Sequence, residues 1–166
     1  MDRETLKEYL DFKVHQYNRK NFIDTDPILL PHQFTKKEDI EIVAFLIATI
    51  AWGKRDMIIK NGTKLLSIMG NDPYEFVLNY RSSSKLNFVH RTFNSIDLDF
   101  FFRSLQRIYL NGGLESTFSK NKEFPGIQGR IINFRNTFLK VSHEKRSEKH
   151  ISNPAKNSAA KRLNMF

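Results

Sequence analysis

The sequence predicts an all-α fold, a multi-helix orthogonal bundle of about seven or eight helices. Apolar residues recur at helical spacing through most of the chain, and the two-residue alternation of strands never persists. The β-branched residues lie inside these helical patterns. A chain of 166 residues, 40% of them hydrophobic, is long enough to bury a core. Residues 1–166 are therefore interpreted as a single domain, complete or incomplete.

The first helix is predicted over Asp2–Tyr17, where apolar residues line one face. Thr5 and Glu8 have the spacing of a capping box near its start. The connection that follows contains Pro27 and Pro31, and two prolines at this spacing exclude a continuous helix. An ordered, apolar-rich connection is expected there.

The most apolar run of the chain predicts a buried helix from about Lys36 to Trp52. Gly53 is a natural end for this helix. The next helix is predicted from Asp56 to Met69, and Gly62 weakens its middle by about 1 kcal/mol relative to alanine. A polar capping pattern, Thr35 to Glu38, precedes the buried helix.

Further helical segments follow, and the segment 142–157 between the last two is polar, charged and proline-containing. It is predicted to be an exposed basic loop. The final pattern begins at Ser158 and has no stop signal, so the chain is expected to be a fragment of a longer protein. The predicted segments are Asp72–Tyr80, Leu86–Arg91, Asp97–Leu110, Gln128–Val141 and the helix after Ser158.

Charge is distributed unevenly along the sequence. Residues 1–119 hold 16 Lys/Arg and 15 Asp/Glu, whereas residues 120–166 hold 11 and 3. This asymmetry favours a polyanionic partner, nucleic acid before membrane, although a solvated basic surface is the alternative. The chain has no Cys, which excludes disulfides and thiolate metal sites, and no signal peptide or membrane-spanning run. A cytoplasmic protein without cofactors is predicted.

Two stretches could contact phosphate. In the first, Trp52 to Arg55, the amides at the start of the next helix could accept a phosphate beside Lys54 and Arg55. The second is Ser152–Arg162, a polar loop that leads into a helix and contains Lys156, Lys161 and Arg162. The alternatives are a core tryptophan beside a solvated turn, and an exposed basic loop.

Metal and acid–base sites are less well supported. The spacing of His143 and His150, which are surrounded by cations, matches no metal site. Asp26 precedes a proline and is first of all a turn former. A small-molecule enzyme built on Asp26, Glu41 and His90 would require these three residues to converge in space.

Several separated motifs identify a family resemblance. The strings DPILLPHQF, AFLIATIAWGKR, LLSIMGNDPYEF, VHRTF and NPAKNSAAKRLNMF resemble, in this order, a bacterial family classed as a domain of unknown function. The resemblance covers most of residues 21–119 and resumes at 153–166. It implies that the family extends beyond residue 166. Polar positions that match the family and could be functional are Asp26, Glu41, His90 and Arg91.

That family is in turn similar to helix-hairpin-helix DNA glycosylases of the endonuclease III type. In those enzymes an apolar helix leads to a short turn that probes the DNA base stack, and Glu41–Arg55 resembles this helix and turn. The glycosylase turn carries a polar wedge, where this chain has Trp52 and Gly53. Nothing in the chain matches the glycosylase hairpin or its catalytic Asp and Lys. The resemblance therefore implies no catalytic residue here.

The resulting hypothesis is a DNA-binding protein related to base-excision-repair glycosylases, with the catalytic part missing from this chain. The alternative is a non-enzymatic helical module that binds RNA or an acidic partner through its basic C-terminal region. The apolar face of the last helix, with Leu163, Met165 and Phe166, predicts self-association or a missing C-terminal segment as partner. The predicted DNA-binding residues are Trp52, Gly53, Lys54, Arg55, Lys156, Lys161 and Arg162.

Overall fold

A computed structural model describes residues 1–82, 86–119 and 123–166. It confirms the all-α prediction: the helices surround one hydrophobic core, and the described strands form only a hairpin of two strands with two residues each. The α-helices are Arg3–Tyr17 (α1), Lys20–Ile23 (α2), Lys37–Ile50 (α3), Arg55–Met69 (α4), Pro73–Leu78 (α5), Ser95–Tyr109 (α6), Gly113–Thr117 (α7), Gly126–Phe138 (α8) and Lys161–Met165 (α9). Short 3-10 helices span Pro27–Leu29, Pro31–Gln33, Lys145–His150 and Pro154–Lys156.

The buried helix expected from the apolar run is α3, and it forms the centre of the fold. Its apolar residues from Ile42 to Ile50 are almost all buried, because α4, α5 and α9 pack around it. Phe45 is fully buried among aromatic rings from α6, α8 and the C-terminal residue Phe166. This central helix fixes the position of the turn that follows it.

The prediction of helical turns over Leu86–Arg91 is wrong. Val89–His90 (β1) pairs antiparallel with Phe93–Asn94 (β2). The physical reason is the alternation of burial, since Phe88 and His90 point into the core and Val89 is exposed. The hairpin turn places Arg91 at φ +55°, a left-handed conformation that costs energy for a non-glycine residue.

The sequence predicts that the segment 142–157 is exposed throughout, but part of it is buried. Its 3-10 helix Lys145–His150 buries Ser147 and His150, and Ile151 is also buried. Arg135 of α8 donates hydrogen bonds to the main-chain oxygens of Glu148 and Ile151 and fixes the segment. The polar composition of the segment gave no sign of this burial, because the residues that cover it come from distant elements.

Two local predictions also change. The first helix is capped by Asp2, whose carboxylate accepts from the Thr5 amide, so the Thr5–Glu8 box is not used as a cap. Gly62 is buried in α4, and a Cβ there would clash with Leu30 and lie 2.7 Å from Ile47 Cδ1. Close packing therefore accounts for a glycine that helix propensity alone disfavours.

The last helix is more buried than expected. Leu163 and Phe166 pack against the core, whereas Met165 is 62% exposed. The apolar face predicted to drive self-association is therefore partly covered within the chain. Self-association through this helix stays a prediction that depends mainly on Met165.

Candidate functional site

The turn between α3 and α4 is a sharp corner, which we call the Trp52 corner (residues 51–55). Helix α3 ends at Ile50, and Gly53 has φ +112°, a conformation that glycine adopts without strain. A Cβ at Gly53 would lie 3.2 Å from Arg91 Nη1, so the hairpin arginine packs closely against this turn. Helix α4 then starts at Arg55, and Lys54 at its N-cap makes no side-chain capping bond. Its first amides are not capped by that side chain.

The Trp52 ring is held by side chains from three other elements of the fold. The Arg162 guanidinium lies 4.8 Å from the ring centroid, in cation–π geometry. The His150 ring is stacked at 6.0 Å between centroids, and the His90 ring meets the indole edge-to-face at 5.0 Å. Trp52 is half-buried as a result, and it is neither a pure core residue nor a freely projecting side chain.

His90 links the backbone of the Trp52 corner to α4. Its ring is buried, Nδ1 lies 2.8 Å from Asn61 Nδ2, and Nε2 lies 3.1 Å from the Trp52 carbonyl oxygen. Because the amide NH₂ can only donate, Nδ1 accepts and Nε2–H donates to the carbonyl. Burial lowers the pKa of His90, which keeps this neutral tautomer. The backbone of the corner is thus tied to α4 and to β1.

Arg162 bridges the C-terminal helix to the end of α3. Its Nη1 donates to the Thr49 carbonyl oxygen at 2.6 Å, while its guanidinium covers Trp52. The pKa of Arg162 is lowered by burial, as expected for a cation partly removed from water. The two predicted phosphate-contacting stretches therefore meet at this arginine.

An apolar cavity of about 490 Å³ opens beside the corner. Asp26 and Arg55 line this cavity. Arg55 Nη2 lies 3.8 Å from Asp26 Oδ2. The other Asp26 oxygen caps the 3-10 helix by accepting from the Ile28 amide at 3.0 Å. Its remaining walls are mainly apolar: Pro27, Ile28, Pro31, Ala44, Ile47, Ala48, Ala51, Gly53, Ile58 and Met165.

The other predicted residues lie outside this cluster. Glu41 accepts from the Tyr109 hydroxyl at 2.9 Å and lines a separate cavity. Lys156 and Lys161 are exposed, and in the described part of the chain no hydrogen bond or ion pair joins them to the corner. Within the described residues, Asp26, Glu41 and His90 each pair with other partners, and no hydrogen bond or ion pair joins them to one another.

A buried polar cluster, missed by sequence reasoning, fixes the segment that carries His150. Asp97 at the start of α6 is fully buried and accepts from Ser147 Oγ at 2.6 Å and Arg146 Nη1 at 3.1 Å. Its other oxygen lies 3.4 Å from His150 Nε2. Burial alone would raise the pKa of Asp97, but His150, Ser147 and the Asn94 amide lower it to about 2. No local pattern in the sequence predicts this cluster, because Asp97 and the basic segment that contacts it are about 50 residues apart.

The comparisons with known proteins identify the family. The family described as Protein of unknown function (DUF2400) matches residues 26–166. No curated protein and no solved structure matches the chain. Within the described residues, no helix is long and apolar enough to cross a membrane, and no group of His, Cys, Asp or Glu is arranged to hold a metal ion. Because the match spans most of its length and includes the corner, the chain belongs to the DUF2400 family of proteins of unknown function.

Proposed function

We propose that the protein binds DNA through the Trp52 corner, as a relative of helix-hairpin-helix glycosylases. The observation that carries this proposal is the convergence of Trp52, Arg55, Arg91 and Arg162 at the start of a 15-residue helix. Arginine side chains and the first amides of a helix are a suitable environment for a phosphate group. An adjacent aromatic ring offers a surface on which a base can stack.

Electrostatics support the same surface. The strongly basic residues 120–166 contribute Arg162 directly to the corner, because α9 packs on α3. Asp26 offsets part of the charge of Arg55, but an ion pair at 3.8 Å whose arginine is half-exposed is weak, and a phosphate can compete with it. Arg55 therefore remains available to a polyanion.

The cavity beside the corner gives the proposal its chemical detail. Its walls are mainly apolar, which suits the faces of a nucleobase, and Asp26 and Arg55 provide an acceptor and a donor for its edge. A base extruded next to Trp52 would enter this space. We assign no catalytic residue, because no motif of the chain matches the catalytic hairpin of glycosylases.

The fixed position of Trp52 favours a second candidate, a non-enzymatic module that binds RNA. An indole held on three sides can stack on an unpaired base but cannot readily insert into a duplex. Competition between labelled duplex DNA and single-stranded RNA of the same length distinguishes the two. Preference for RNA would select this second function.

The experiment is a fluorescence-polarisation titration of intact and lesion-containing DNA duplexes over a salt series. The affinity should fall steeply as salt rises, and Arg55→Gln should weaken binding and reduce the slope by about one counterion. Lys36→Gln is the matched control, because Lys36 lies at the opposite end of α3, about 20 Å away. Affinity that is insensitive to salt, or equal losses in both variants, would refute the proposal.

A further inference from the structure

Helix α1 is an unpartnered surface. It is 15 residues long, yet none of its residues is buried against the described part of the chain. Asp2 caps it with hydrogen bonds to the amide and hydroxyl of Thr5, so the sequence encodes its start. A helix of this length is marginal in water without tertiary contacts. A partner that covers one face would supply the missing stabilisation.

The exposed face is apolar and continuous. Leu6, Leu10, Val14 and Tyr17 follow one another at helical spacing, and all four are at least 41% exposed. Tyr9 and Phe12 widen the face on one side. A stripe of this kind is typical of a helix that packs against another helix.

The charge of α1 argues against nucleic acid and against an anionic membrane as its partner. Residues 1–17 hold four acidic and three basic side chains, whereas residues 18–166 hold 14 and 24. A polyanion is therefore attracted to the remainder of the molecule rather than to α1. Two copies of this chain repel each other where their basic surfaces meet. At α1, whose net charge is close to zero, they can approach without this repulsion.

The order of charges along α1 fits an antiparallel pair. Residues 2–10, at its start, hold three acidic and two basic side chains, whereas residues 11–20 hold one acidic and three basic ones. Antiparallel pairing brings each acidic end near the basic end of the other copy and aligns the two helix dipoles favourably. We infer that α1 is a self-association surface, which pairs antiparallel with α1 of a second copy of this chain.

The size of the surface sets the strength of this dimer. A 15-residue helix is about 22 Å long, and one helix pair of that length lies at the low end of specific interfaces. The dimer should therefore be weak and concentration-dependent. It is distinct from association through the last helix, where Met165 is the exposed apolar residue.

Sedimentation velocity from about 5 to about 500 µM tests the inference, a range suited to a small interface. The wild-type chain should pass from monomer to dimer, and Leu10→Glu should raise the dissociation constant about tenfold or more because it buries a charge at the centre of the pair. Leu110→Glu and Met165→Glu are matched controls at exposed apolar residues elsewhere and should leave it unchanged. A monomer at every concentration, or a dimer lost only in Met165→Glu, would overturn the inference.

A crosslinking measurement tests the orientation independently. The chain has no Cys, so a single introduced cysteine reports only on its own position. Leu10→Cys lies near the centre of an antiparallel pair and should form a disulfide-linked dimer on oxidation, whereas Tyr17→Cys at one end should not. Efficient linkage of Tyr17→Cys, which parallel helices would give, contradicts the arrangement. Circular dichroism verifies that each variant is folded.

Discussion

The contact between Arg162 and Trp52 predicts a measurable coupling energy. Arg162→Gln removes a charge-assisted hydrogen bond to the Thr49 carbonyl, about 1.5–3 kcal/mol, and a cation–π contact, about 0.5–2 kcal/mol. A total loss of roughly 2–5 kcal/mol in unfolding free energy is expected from these two magnitudes. This is a large share of the total for a domain whose stability is about 5–15 kcal/mol.

A double-mutant cycle isolates the ring contact. Trp52→Leu, Arg162→Gln and the double variant are compared by urea unfolding followed by far-ultraviolet circular dichroism. The hydrogen bond to Thr49 is absent from both arms that contain Arg162→Gln, so the coupling reports the cation–π term, about 1 kcal/mol. The matched cycle of Trp52→Leu with Lys161→Gln should be additive, because the neighbouring Lys161 is exposed. A coupling below about 0.5 kcal/mol for Arg162 would refute the reasoning.

Three further predictions concern buried groups. Asp97→Asn should destabilise the fold by about 3 kcal/mol, because it removes the buried negative charge that pairs with the partly exposed Arg146 and accepts from the buried Ser147 hydroxyl. In the wild type this carboxylate should stabilise the fold above pH 3.8 and lose that contribution as the pH falls towards 2, measured by thermal unfolding. His90 has a lowered pKa, so the folded state binds its proton less readily than the unfolded state. Stability should fall as the pH drops below 6.5, and His90→Gln should remove that part of the slope. Gly62→Val should lower the free energy of unfolding in urea by about 2 kcal/mol or more, because the gain in helix propensity is smaller than the cost of displacing Leu30 and Ile47. An unchanged urea midpoint would contradict the close packing at Gly62.

Sequence patterns predicted the helices well because their signals are local. The apolar run gave α3 to within two residues at its C-terminal end, and the spacing of Leu98, Phe101, Phe102 and Leu105 gave α6. The hairpin at Val89 was missed because two-residue strands are too short to establish an alternation that can be told from a helical turn. Short elements of this kind depend on the core they cover.

The site was predictable only in part, and for a different reason. The corner itself follows from an apolar helix that ends at Trp52, Gly53 and two cations. Its supporting residues, Asn61 and His150, come from segments that looked like a weak helix interior and an exposed loop. Nothing near them in the sequence indicates their contacts, because those contacts form only when distant elements pack together.

The bond from Arg162 to the Thr49 carbonyl joins residues 113 positions apart. During synthesis on the ribosome, α3 and the corner emerge long before the segment that covers Trp52 is available. The nascent chain therefore has an interval in which its central helix is already made while one wall of the corner is still missing. Closing so long a loop is slow, so completion of the corner should be among the last events of folding. The proposed binding surface is thus incomplete until most of the domain has been translated.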